Sequence, residues 1–264
     1  MGSGALGASS VAHLGGCCWR NTAGWQAVTV ALVVLAMVSG AAWFVMSDHA
    51  EPLADRPVQR AALFPRHAIL WVLGAMALFS MIPEGAVLDW AALYLVDELG
   101  ADTASSGLAF GLFSAAMAIM RFAGDGIRNR FGAVLTLRAS ALLGAAGMLL
   151  AAIAPTDTMA LAGFAISGLG VANTVPIMFS AAGNQPGISS GAGIATVTML
   201  GYCGILVAPS SIGFVAEAIG FRITYVALAL LLVVVAALAG RAAAADGKEN
   251  QVASSADPTG RTLP

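Results

Sequence analysis

Glu84 and Asp89 are the two residues most able to do chemistry in this chain. They lie in Pro83-Glu84-Gly85-Ala86-Val87-Leu88-Asp89-Trp90-Ala91-Ala92-Leu93-Tyr94, inside a long apolar run. A charged side chain at mid-bilayer depth costs roughly 2.5 to 3.5 kcal/mol even on the lenient insertion scale. The usual compensation is a polar pathway through a helix bundle, where a carboxylate binds a proton or a polar group of a solute. Five residues separate the two acids, so they stand about 140° apart on a helix and mark two points along a wall rather than a catalytic pair. The alternative is that both lie near the outer interface and make structural hydrogen bonds. Trp90 and Tyr94 share a face and would either stack on a ring or anchor at the interface.

A second group is Arg121, Asp125, Arg128 and Arg130, in the stretch RFAGDGIRNRFG from Arg121 to Gly132. One acid among several arginines in a short basic turn can lock two helices by charge-assisted bonds, and such a lock can break when a bundle changes state. Ordinary positive-inside charge accounts for part of the same pattern. A third candidate is Asn173, in SGLGVANTVP, an amide inside an apolar run that would either bind a hydroxylated solute or cross-link helices. Pro83 and Pro176 are expected to interrupt or loosen their helices, because proline removes a backbone donor and crowds the preceding turn.

The elements that must position these residues follow from composition. Hydrophobic residues make up 59% of the 264 residues and charged residues 10%, and the mean hydropathy is +0.85. Soluble domains carry about 25% charged residues, so the chain reads as an all-α integral membrane protein. The net charge of −2 and the single lysine, Lys248, exclude a nucleic-acid binder, which needs cations to neutralise phosphates. The three cysteines and three histidines are too scattered for a metal site, and no cofactor motif is present. No HExxH motif or Ser/His pair lies within the apolar runs, so an enzyme is not expected. A retinal receptor would need a lysine within a span, and Lys248 lies beyond the last one.

Seven apolar spans are expected, at 24–46, 67–96, 104–123, 132–154, 158–180, 190–215 and 220–240, each long enough for a hydrocarbon core of ~30 Å. Residues 1–23 read as a remnant of something preceding, 47–66 as a proline-containing cytoplasmic linker, and 241–264 as a disordered tail. Ten of the twelve Lys and Arg residues fall on the side of 47–66, 121–138 and the tail. The positive-inside rule makes that side cytoplasmic, with the N-terminus outside.

The order of features from 24 to 240 resembles the major facilitator superfamily. RFAGDGIRNRFG resembles its cytoplasmic gate motif, Asp125 standing for the acid and Arg130 with Gly132 for the Arg-x-Gly; Arg121 stands where a Gly is usual. EGAVLDWAALYL and GLGVANTVPIMFSAAG resemble a YbjJ-like bacterial branch somewhat related to sugar–proton symporters. The resemblance implies a twelve-helix fold of which 24–46 is helix 6 and 67–240 is the six-helix C-terminal half. It implies transport of a small solute by alternating access in a bacterial inner membrane, as part of a truncated protein; Glu84, as an acid able to bind a proton, makes proton coupling the expected drive. The competing expectations are a fragment that is inactive or depends on association with a missing N-terminal half, and, after it, a non-retinal seven-helix membrane receptor.

Overall fold

The computed structural model describes residues 67–246. The expected span at 24–46, the linker 47–66 and the tail beyond 246 lie outside the described residues. Those described form helix α1 (Ala68–Leu99), α2 (Thr103–Phe131), α3 (Ala133–Ile153), α4 (Asp157–Val171), α5 (Thr174–Gly183), α6 (Ser190–Ile219) and α7 (Phe221–Leu238), then a 3-10 helix (Ala239–Asp246). No strand occurs among them. With α4 and α5 taken as one interrupted span, six helices are long and apolar enough to cross a membrane. The shortest, α3, has 21 residues, or roughly 31 Å at 1.5 Å per residue.

The spans alternate in direction, which defines two ends. Asp102, Asp157, Glu217 and Arg222 mark the first; Arg128, Arg130, Arg138 and Arg241 mark the second. The connections are short and capped. Gly100, at φ +67°, lets the Ala101 N–H reach back to Leu95 O at 2.9 Å and closes α1. The Asp102 carboxylate accepts from the Ser105 N–H at 2.9 Å and opens α2. Thr156 does the same for α4 through Met159 N–H at 3.3 Å.

One expected boundary differs. The basic stretch from Arg121 is not a turn: α2 runs through it to Phe131 and stops at Gly132, at φ +78°. Arg128 and Arg130 sit in the last helical turn, where the negative end of the helix dipole favours cations. The tail also differs. Arg241 to Asp246, expected to be disordered, belong to the 3-10 helix, packed against α3 and α5. Asp246 accepts from the Ala133 N–H at 2.7 Å, so the tail caps α3.

In lipid, helices gain little from apolar burial and associate by close backbone packing. The α3–α4 seam shows how. A Cβ on Gly147 would stand 2.6 Å from Gly163 O and 2.7 Å from Ser167 Cα, and one on Gly163 would stand 2.6 Å from Ala151 N. α3 also packs on α7, α2 on α4, and α1 on α6. At the acidic end Tyr94, Phe164 and Tyr225 form an edge-to-face cluster with centroids 5.1 to 6.1 Å apart, and the buried Tyr94 hydroxyl donates to Ala151 O at 2.7 Å. Tyr94 is thus a core residue and not an interface anchor. Arg222 ties that end together, donating to Ala154 O at 2.9 Å and Ala152 O at 3.2 Å while lying 3.6 Å from Glu98.

Two outcomes follow. Gly147→Val forces the α3 and α4 backbones apart and lowers stability by about 1–3 kcal/mol or more, read as a lower unfolding temperature in detergent, whereas Gly126→Ala, with open space around it, leaves that temperature unchanged. Ser105 holds the Asp102 carboxyl below the ordinary aspartate range through its hydroxyl and backbone N–H. A depressed folded-state value stabilises the capped form above the ordinary value and loses that contribution as pH falls through the depressed one. The protection of the Ser105 amide against exchange, relative to its intrinsic rate at each pH, therefore falls on acidification, and Asp102→Ala removes the cap's share of it at every pH.

Candidate functional site

Glu84 is the seventeenth residue of the 32-residue α1, halfway along it. α1 continues through Pro83 without interruption, contrary to the expected break; Pro83 is buried inside the helix, and only the donor its ring removes is missing from the ladder. Opposite Glu84 stands Arg121 of α2, ten residues before the end of that helix, or ~15 Å along it. The two side chains approach to 3.9 Å, with Glu84 18% and Arg121 53% exposed. Arg121 therefore lies within a helix long and apolar enough to cross a membrane. It does not lie in a turn, as expected for that basic stretch, because α2 extends beyond it by nearly three turns.

The separation exceeds the 2.7–2.9 Å of a tight charge-assisted hydrogen bond. The pair is Coulombic and open on one side. A group with hydrogen-bonding capacity can reach the guanidinium without first dismantling a bidentate clamp. Asp89, by contrast, is exposed on α1 and, among the described residues, has no cation within 4.0 Å. It does not join Glu84.

Asn173 lies elsewhere too. It is 7% exposed and sits at the break between α4 and α5. Pro176 occupies the third position of α5, in the first turn, where the lost donor is least costly. The Thr174 hydroxyl donates to Val171 O at 2.8 Å and partly replaces the interrupted ladder. The helix is thus interrupted at residues 172–173, just before Pro176, whereas α1 is continuous through Pro83. The Asn173 amide packs on Gly124 of α2, where any Cβ would meet it, and its Nδ2 has no acceptor. A cavity of about 30 Å³, lined by Gly124, Asp125, Arg128, Asn173, Pro176 and Ile177, adjoins it.

The sets expected from sequence are therefore re-sorted. Arg121, placed with the gate, meets Glu84; Asn173, placed with the solute-binding residues, packs on Gly124 and shares the lining of a small cavity with Asp125 and Arg128. Arg128 reaches α5 and the tail, donating to Ser180 Oγ at 3.0 Å and to Ala245 O. Asp125 is exposed, and Arg130 lies over the Phe131 ring at 5.5 Å. Trp90 donates its indole N–H to Pro209 O of α6 at 3.1 Å, and its ring fills the space left by Gly213. Ser180, Ala245 and Asp246 were missed as partners because the tail looks structureless by composition. The Arg121 pairing was legible only by taking Gly132, rather than Gly124 or Gly126, as the end of the helix.

A family model described as Major Facilitator Superfamily matches residues 1–187 and, in an overlapping match, 90–262. An uncharacterised MFS-type transporter of Yersinia pestis is 35% identical over 177 residues, covering 67% of this chain and 46% of that protein. Membrane protein MosC of Rhizobium meliloti is 36% identical over 155 residues, covering 59% of this chain and 38% of that protein. The crystal structure of the peptide transporter POT in complex with sulfate superposes with a TM-score of 0.60 at 18% identity, covering 76% of this chain and 47% of that one; at that identity the likeness concerns the fold. The chain spans about half the length of the curated relatives it matches. Six apolar spans and these matches make it a multi-pass membrane protein of a family of transporters rather than enzymes, and the chain belongs to the Major Facilitator Superfamily.

Proposed function

We propose that this chain supplies one six-helix half of a secondary transporter that moves a small solute by alternating access, coupled to protons through Glu84. The observation that carries the reading is the Glu84–Arg121 pair, a carboxylate halfway along α1 and a guanidinium about two-thirds along α2, 3.9 Å apart within two apolar helices. A protonatable acid at that depth, held by a cation on a neighbouring helix and partly open, has the chemistry of a coupling site. Protonation of Glu84 removes one charge of the pair and frees the Arg121 guanidinium for a solute. Family membership and the curated relatives named as transporters support transport as the activity.

Residues 67–240 would then form the C-terminal half and 24–46 the last helix of the other half, joined by the cytoplasmic linker 47–66. The YbjJ-like branch and a bacterial inner membrane remain the proposed setting, with the Arg-rich end cytoplasmic and the N-terminus outside. α2 and α6 are the least buried spans, 28% of the most apolar window of each against 72% for the interrupted span. Their free flanks support a surface for a second half around the mid-membrane site, where family transporters of this kind bind between repeats. Asp125, Arg128 and Arg130, with Asn173 behind them, form the proposed gate at the Arg-rich end. Asp89 and Trp90 stand on the acidic-end side of Glu84.

The test is solid-supported membrane electrophysiology on the reconstituted protein, with a panel of small polar solutes offered under an inward proton gradient. A transported solute gives proton-driven currents, and Glu84→Gln reduces its concentrative uptake to passive exchange. Undiminished uphill accumulation by Glu84→Gln would sink the proton role.

A further inference from the structure

At the acidic end α1, α6 and the start of α7 enclose a groove of about 760 Å³ that lies apart from the Glu84–Arg121 pair. Its volume is in the range of small-molecule sites, roughly 300–1,000 Å³. Its lining combines two chemistries. Trp90, Phe214 and Phe221 present aromatic surface, with the Trp90 and Phe221 centroids 6.0 Å apart. Phe214 is 74% exposed, an aromatic ring left uncovered within the described residues. Asp97, Glu98 and Glu217 present carboxylates.

The charges do not cancel locally. Arg222 is the nearby cation, and it is already engaged by Glu98 and by the carbonyls of Ala152 and Ala154. Among the described residues neither Asp97 nor Glu217 has a cation within 4.0 Å. The Trp90 indole N–H is used by Pro209 O, which fixes the ring against α6 as a wall of the groove. Aromatic rings and uncompensated carboxylates around one cavity suit a positive charge carried on an apolar body: the ring quadrupoles and the carboxylates attract the charge, and the ring faces cover the body. The same lining repels an anion.

We propose that this groove binds organic cations with an apolar body, as a recognition site separate from the coupling pair. This binding does not rest on the transport reading. The experiment is isothermal titration calorimetry of the full chain in non-ionic detergent with tetraphenylphosphonium, and with tetraphenylborate as the size-matched anion. The expected result is saturable binding of the cation, weakened about ten-fold by the Asp97→Asn/Glu217→Gln double variant and weakened also by Phe214→Ala. These exposed positions keep the unfolding temperature of the parent chain. Tetraphenylborate affinity is not lowered by the double variant, and Glu84→Gln leaves cation binding intact even where it abolishes proton-driven uptake. Equal cation affinity in the parent and the double variant overturns the proposal, as does loss of binding with Glu84→Gln alone, which would move the cation to the mid-membrane pair.

Discussion

A charge in hydrocarbon needs a partner, and the bundle is arranged around that requirement at Glu84 and Arg121. Each residue alone would stand uncompensated inside an apolar helix. Together they set the register of α1 against α2, because helices joined by a short loop bring positions 84 and 121 level when both run without a break. At 3.9 Å the pair is close enough for attraction and too long for a tight hydrogen bond. Truncating either partner leaves the other charged and unpaired, which is the costly state in a low-dielectric setting. This is a fastening that exchanges partners readily, unlike Arg222 at the acidic end, which is held by two carbonyls and a carboxylate at once.

Packing elsewhere supplies the rigidity that lets one weak pair hold its geometry. The glycine seam between α3 and α4 brings backbones into contact, and the Tyr94–Phe164–Tyr225 cluster fills the acidic end. Three prolines meet this framework differently. Pro83 and Pro209 stay within continuous helices, whereas Pro176 follows a real break. The break lies after Gly168 and Gly170, residues poor at propagating helix, and the Thr174 hydroxyl takes over one carbonyl. The orphaned Asn173 Nδ2 stands at this joint, beside a cavity of about 30 Å³.

Much of the fold was legible from hydropathy. Six of the seven expected spans fall on described residues, and each coincides with a helix or with the interrupted α4–α5 span. The errors cluster where local composition misleads. Glycines 124 and 126 suggested a turn, yet the helix passes through both and ends only at Gly132, whose positive φ no other residue type adopts easily. The Ala-rich stretch after Leu238 suggested disorder, yet Arg128 and the α3 N-terminus give it hydrogen-bonding partners that composition does not display.

By itself the sequence determined that this is a helical membrane protein, where its spans lie, and that Glu84 is an acid out of place in an apolar run. These are properties of a segment and its solvent: a helix in lipid satisfies its own backbone, so length and hydropathy suffice to specify it. Only the tertiary structure decided which charged residues meet. Glu84 with Arg121, Asn173 with Gly124, and Arg128 with Ser180 and the tail are contacts between residues 37 or more positions apart. They depend on helix register and on how closely glycine-lined faces approach. Side-chain polarity alone carries no information on those distances, so the sequence named the participants and the packing chose the pairs.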